Sequence, residues 1–218
     1  MSTFPRSPHT LKAGLALLDP VSLQIGTIIA LQYAPDQLTR TLQVQGMAGE
    51  SGDRSEPLRL KGPPVETFRL EAEIDATDQL EQPQQNPDAV QVGIFPQLAV
   101  LGSLVTPTST QITNTDNLLL AGAVEVAPAE APLALFVWSS QRVVPVRVTE
   151  LSITEEAFDV NLNPIRAKVT LALRVLSVND FNVDDPAAAL YIGYLKNQEA
   201  LARRFAGGSR DDIGLKGL

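Results

Sequence analysis

Three carboxylate pairs are the first residues whose types and spacing could do chemistry: Glu155-Glu156, Asp184-Asp185 and Asp211-Asp212. Glycoside hydrolysis needs two carboxyl groups facing each other across a pocket, about 5–10 Å apart. Glu155-Glu156 fall in a strand-like stretch, where neighbouring residues point to opposite faces. The other two pairs lie in a turn and in the C-terminal tail, so all three read as solvated charges. A Ser–Lys hydrolase is not supported either. Ser139-Ser140 has no lysine at S-x-x-K spacing, and no G-x-S-x-G elbow occurs. His9 stands beside Pro8 in the N-terminal arm, a surface position. Gly207-Gly208-Ser209 follows a helix, whereas a phosphate cradle needs its glycines before one.

Composition narrows the chemistry further. The 218 residues include no Cys and one His. Disulfide frameworks, Cys-based zinc sites, Cys nucleophiles and His-based triads are therefore excluded unless a second chain supplies the missing group. Seventeen Lys and Arg against 25 Asp and Glu leave a net charge of −8, the wrong sign for neutralising phosphates, so no nucleic-acid partner is expected. Hydrophobic residues make up 44% and aromatics only 5%, which implies a core of Val, Leu, Ile and Ala. The short apolar run Ala13 to Leu18 is interrupted by Asp19-Pro20 and lacks a signal-peptide cleavage pattern. No run is long enough to span a bilayer. The expectation is a cytoplasmic protein without direct membrane insertion, cofactor or metal.

The elements that must position these residues are mainly strands. Residues 1–10, with Pro5 and Pro8, read as a flexible arm. Leu11 to Val44 is strand-like, broken at Asp19-Pro20 and Ala34-Pro35-Asp36. Gly46 to Pro64 is a long polar loop. From Val65 to Asp75, Phe68, Leu70, Ala72 and Ile74 form one face. Thr67, Arg69, Glu71, Glu73 and Asp75 form the other. Gln79 to Gln85 is a connection. A helix at about 86–105 follows, with Asn86 as cap, Pro87 in the first turn and a stripe of Val90, Ile94, Leu98, Leu101 and Val105. Pro96 should bend or split it. Leu118 to Val126 could add a short strand.

Leu133 to Trp138 and Val143 to Glu155 read as two strands joined by a tight turn. Pro145 marks an edge or bulge, and a phase slip near Thr149-Glu150 marks a bulge. After a turn at Asp159 to Pro164 comes the strand Ile165 to Val178. Its apolar face is Ile165, Ala167, Val169, Leu171, Leu173 and Val175; Arg166, Lys168, Thr170 and Arg174 lie opposite. Pro186 to Ala206 is an amphipathic helix with Tyr191, Tyr194, Leu195, Leu201 and Phe205 on one side, ended by Gly207-Gly208. The fold class is α+β, mainly β with an inserted helix: a small β-barrel or sandwich whose opening a helix covers.

Two strings carry a resemblance. Ile28-Ile29-Ala30-Leu31-Gln32-Tyr33-Ala34-Pro35-Asp36-Gln37-Leu38 resembles the F-N-P-(E/D)-x-L strand and turn of contractile injection system tube proteins. Phe158-Asp159-Val160-Asn161-Leu162-Asn163-Pro164-Ile165-Arg166-Ala167-Lys168-Val169 resembles their closing hairpin, in which a G-x-P-x-R-A-x-V or L-N-P-x-R-A-x-V turn feeds the last barrel strand. The resemblance covers roughly residues 11–180. Ala34 stands where the family has Asn, and after residue 181 the text reads as a helix and tail, not a LysM module, so that module's tasks are not carried over.

The resemblance implies a split β-barrel of phage tail-tube type, at 11–180, with the C-terminal helix and tail at 181–218. It implies a homo-oligomeric ring of six copies, sited at the baseplate end of the inner tube. Its partners would be the inner tube protein, the spike or hub and other baseplate proteins. The function it implies is non-enzymatic: a tube initiator or adaptor, with a tube cap of the same machine as the nearest rival. The polar-face residues Arg69, Glu71, Glu73, Arg166 and Lys168 would line the lumen or meet the next ring, and the 86–105 helix would pack on the barrel's outer side. A different class remains open on the residues alone: a monomeric ligand-binding β-barrel in which Trp138 and the tyrosines form a sugar or peptide surface.

Overall fold

The computed structural model describes residues 13–19, 22, 24–31, 35–46, 59–120, 131–182 and 185–207. Their elements run β1 (Gly14–Leu18), β2 (Ile25–Ala30), β3 (Leu38–Gln43), β4 (Val65–Asp75), α1 (Thr77–Leu80), α2 (Pro87–Val92), α3 (Phe95–Gly102), α4 (Ser109–Leu120), β5 (Leu133–Ser139), β6 (Arg142–Phe158), β7 (Pro164–Val175) and α5 (Pro186–Ala202). The expected arm at 1–10, His9, Asp184, Asp211-Asp212, Gly208 and positions 47–58 of the polar loop lie outside the described residues.

The strands form one antiparallel sheet in the order β2-β1-β5-β6-β7-β4-β3. In β4 and β7 the two-residue alternation buries Phe68, Leu70, Ala72, Val169, Leu171 and Leu173 on one face, as the sequence predicts. That face is strongly concave. β4 and β5 stand three strands apart, about 14 Å along a flat sheet, yet the Phe68 and Phe136 ring centroids are 5.4 Å apart. Only a curled sheet brings them together. The tilted pair contributes roughly 0.5–1.5 kcal/mol beyond its burial.

The curl does not close. β2 and β3 occupy opposite ends of the strand order although only residues 31–37 separate them. The chain pairs with β1 through β2, Gly14 facing Ala30, and with β4 through β3, Leu38 facing Leu70. Pairing on that side of β4 stops at Leu70, so among the described residues Glu71–Asp75 have no strand partner there. An open cleft of about 950 Å³ lies between this half of β4 and β2, lined by Ile28, Ala30, Ala72, Ile74, Gln97 and Val100 among others. The described strands thus form one open, curled antiparallel sheet.

The helical insertion differs from its expectation. It is two helices, α2 and α3, separated by Gly93 at φ +59°. Pro96 sits in the first turn of α3, where its missing N–H costs nothing. Asn86 does not cap α2; its side chain instead donates to the carbonyls of Gln79 and Gln82. The break rotates the stripe, so Ile94, Leu98, Leu101 and Leu104 are buried while Val90 and Val105 are exposed. The insertion also lies on the opposite side from the one expected. Ile94 and Leu98 pack with Ala76, Ala167, Ile74 and Ile153 on the concave face. α3 therefore fills one end of the trough instead of cladding its outside.

Smaller corrections follow. Thr77–Leu80 forms one helical turn that overlaps the start of the expected connection. Leu118–Leu120 are helical in α4, not strand, and residues 121–126 lie outside the described residues. Pro145 is at neither an edge nor a bulge. β6 is central, but the Pro145 carbonyl accepts from Leu176 N–H, one residue past the end of β7, so the missing donor faces the frayed end of that ladder. β7 ends at Val175 rather than Val178. The expected bulge does occur: Val148 faces Leu173 and Glu150 faces Ala172, and the extra Thr149 hydroxyl donates to the Ala172 carbonyl.

α5 closes the other end of the trough. Asp185 caps it by accepting from Ala187 N–H. Tyr191 and Tyr194 are buried in the main core, with Leu195 packed against it. Leu190 packs on Ala16, Leu18 and Leu135, the second buried face of β1 and β5. Phe205, expected on the buried side, lies beyond the helix end and is exposed.

Candidate functional site

Arg69, Glu71 and Glu73 on β4 and Arg166 and Lys168 on β7 share the convex face of the sheet. The register sets Glu73 opposite Lys168, Asp75 opposite Arg166 and, on the other flank, Glu156 opposite Arg166. Charges of opposite sign consequently interleave over three strands. Lys168 Nζ lies 3.1 Å from Glu156, Arg69 3.5 Å from Glu150, and Arg166 3.4 Å from Asp75 and 3.9 Å from Glu73. Asp75 is held below the ordinary carboxylate range. Burial opposes that shift; the hydrogen bonds from Thr77 and the Arg166 charge outweigh it. Glu150 and Glu156 belong to this surface too. The Thr149 bulge puts them there by reversing the parity of the rest of β6.

Glu73 also lines the open cleft beside β4, and the half-exposed ion pairs of this surface are each worth at most about 1 kcal/mol. The surface is suited to being a polar wall or to meeting another polar surface. Among the described residues no group of three His, Asp or Glu side chains is arranged to hold a metal ion. No helix among them is long and apolar enough to cross a membrane.

A second polar group was missed by the alternation pattern. Glu66 shares its parity with Phe68 and Leu70, so it points into the apolar side, where it is 3% exposed. Arg40 on β3 donates to its Oε1 at 2.5 Å, Tyr194 on α5 donates to the same oxygen at 2.9 Å, and Arg40 also reaches the Tyr194 oxygen at 3.1 Å. Arg142 stands over the Phe68 ring at 5.4 Å. The Tyr194 hydroxyl is pushed up to about 12, first by burial and then by the adjacent Glu66 carboxylate. The geometry locks β3, β4 and α5 together. Trp138 is half-buried against the core, 5.9 Å from Phe136, and Tyr191 and Tyr194 are buried; Tyr33, the third tyrosine of the alternative reading, lies outside the described residues.

The turn Asp159–Asn163 is rigidly made. The Asp159 carboxylate accepts from the Asn161 and Asn163 amides, and Asn163 Nδ2 donates both to it and to the Gln91 carbonyl. These bonds, the Asn163 side chain first, hold Asp159 below the usual carboxylate range. Asn163 is also the Asn of the L-N-P string.

No protein family and no curated protein sequence matches the chain. Among solved structures it is similar to a chain from the tail of an empty gene transfer agent particle with C6 symmetry, at 11% identity and TM-score 0.30, over 75% of this chain and 90% of that one. It is similar also to a chain from the virion of a native gene transfer agent particle, at 11% identity and TM-score 0.29, over 76% and 91%. Likenesses this distant carry no weight for what the protein does.

Proposed function

We propose that the protein is a structural, non-enzymatic subunit of a contractile, phage-tail-like injection machine. In this reading it forms a homo-oligomeric ring at the baseplate end of the inner tube, between the spike hub and the tube. The observation that carries the reading is the open sheet: β2, β3 and half of β4 present strand edges that no other described strand covers. Exposed edges with apolar residues such as Ile28 and Leu42 are an aggregation hazard in a monomer. Neighbouring copies in a ring would cover them, each contact joining two different patches. The two sequence strings that resemble tube proteins support the family. The charge-balanced convex face supports a channel wall that does not hold cargo, with Arg69, Glu71, Glu73, Arg166 and Lys168 facing the lumen.

Sedimentation velocity tests the reading. A ring of six 23.4 kDa copies sediments as a species of roughly 140 kDa. A monomer at all concentrations, gaining thermal stability with an added saccharide, would instead establish the ligand-binding alternative.

A further inference from the structure

The two ends of the molecule complement each other. At one end the β6–β7 turn carries Phe158, Val160 and Leu162 into solvent, with Val160 98% and Leu162 75% exposed. Three neighbouring apolar side chains held in water would fold back if the turn could relax. The Asp159–Asn163 bonds prevent that, and Leu162 is kept at φ +64°. The result is a pre-shaped apolar knob.

At the other end, about 36 Å away along β7, an open depression of about 670 Å³ lies between α5 and the turn after β7. Val178, Pro186, Ala188, Ala189 and Ile192 line it, and Gly193 leaves its floor empty: a Cβ there would meet no atom within 4 Å. Small residues on the solvent side of a helix whose other side holds Tyr191 and Tyr194 make the hollow.

Charge is polarised along the same axis. Asp78, Glu81, Asp88, Glu155, Glu156 and Asp159 lie on the elements at the knob's end of the sheet, with Arg166 and Lys168 paired among the acids there. Lys196 and Asp185 line the depression, Arg147 and Arg174 face each other at that end of the sheet, and Arg203 and Arg204 follow α5, where Glu199 pairs with Arg203 and Asp180 with Arg174. An acidic end with an apolar knob faces a basic end with an apolar hollow only when identical copies meet head to tail.

We propose that the Phe158–Leu162 knob of one copy seats in the Val178–Ile192 depression of a second copy, so that the protein stacks along its strand axis by a heterologous contact. The inference deepens the ring reading, on which it rests for self-association, by assigning the contact between successive layers.

Two variants test it. Val160→Asp with Leu162→Asp spoils the knob at side chains that bury nothing, and Asp tolerates positive φ better than Leu. Gly193→Glu fills the hollow with an acid and replaces a helical glycine with a better helix former. Particle mass is read by mass photometry, with thermal melting as the folding control. Wild type gives layered species. Each variant alone gives single-layer particles, with layered species reduced at least tenfold. An equal mixture restores pairs of layers and nothing longer, because only one knob type and one hollow type remain functional. Wild-type single layers, stacking by either variant, or a mixture that fails to pair would overturn the inference while leaving the ring reading intact. Wild-type monomers under every condition would overturn both.

Discussion

Tyr194 donates its hydroxyl to Glu66 Oε1 at 2.9 Å, joining α5 to a strand 128 positions earlier in the chain. The Arg40 guanidinium completes the cluster from the edge strand β3. One buried carboxylate thus fixes both the terminal helix and the rim of the sheet, and it can be tested by pH and by substitution.

Native Tyr194 keeps its proton to about pH 12, whereas in the unfolded chain it is lost near 10.0. Its contribution to stability is therefore complete below pH 10 and falls away as the pH rises from 10 through about 12. Tyr191 is shifted upward as well, first by burial, and adds to the same limb. Tyr194→Phe should cost about 1–3 kcal/mol at pH 7 by taking a donor from buried Glu66, and it should make the alkaline decline shallower. Urea unfolding at pH 7 and at pH 11 checks both; an equally steep decline in the variant would contradict the assignment.

Lys168→Glu places a third acid beside Glu156 and Glu73 on the convex face. The lost pair is half-exposed and worth at most about 1 kcal/mol, and the new like-charge contacts cost a similar amount, so the melting temperature should fall by no more than about 8 °C. Assembly should fail by far more than that small loss explains. Particle mass measured beside the melting curve separates the two effects. Normal particles from Lys168→Glu would remove the charged face from the lumen.

Gly93→Ala tests the seat of the helical insertion. Gly93 has φ +59°, and a Cβ there would lie 2.2 Å from the Pro164 carbonyl oxygen. Ile94 N–H donates to the same carbonyl, so the backbone cannot withdraw without losing that bond. A loss of at least about 2 kcal/mol is expected in chemical denaturation. Gly102→Ala, where nothing lies within 4 Å, is the control that should be neutral or stabilising.

The strands were legible wherever one face is buried and the other wet. β4 and β7 alternate without error, and the slip at Thr149 was visible because the bulge moves Leu151 and Ile153 back into phase. The five charged residues could be placed on one face for the same reason. Glu66 was legible in principle, since its parity with Phe68 puts it among the buried residues, but a carboxylate there makes sense only once Arg40 and Tyr194 are seen beside it. Alternation says nothing about which side of a sheet a helix covers, so only the packing of Ile94 and Leu98 on Ala76 and Ala167 reveals that α3 lies inside the trough. Nor does local pattern reveal that the chain at 25–43 changes partner between β1 and β4. That choice is made by tertiary pairing, and it decides whether the sheet closes.

Electron microscopy of the purified wild-type protein tests the central claim most directly. The account predicts closed rings of identical copies, six in number if the tube-protein resemblance holds, with Arg69, Glu71, Glu73, Arg166 and Lys168 around the central channel. Monodisperse 23.4 kDa particles at every concentration, or rings whose channel is walled by another face, would contradict it.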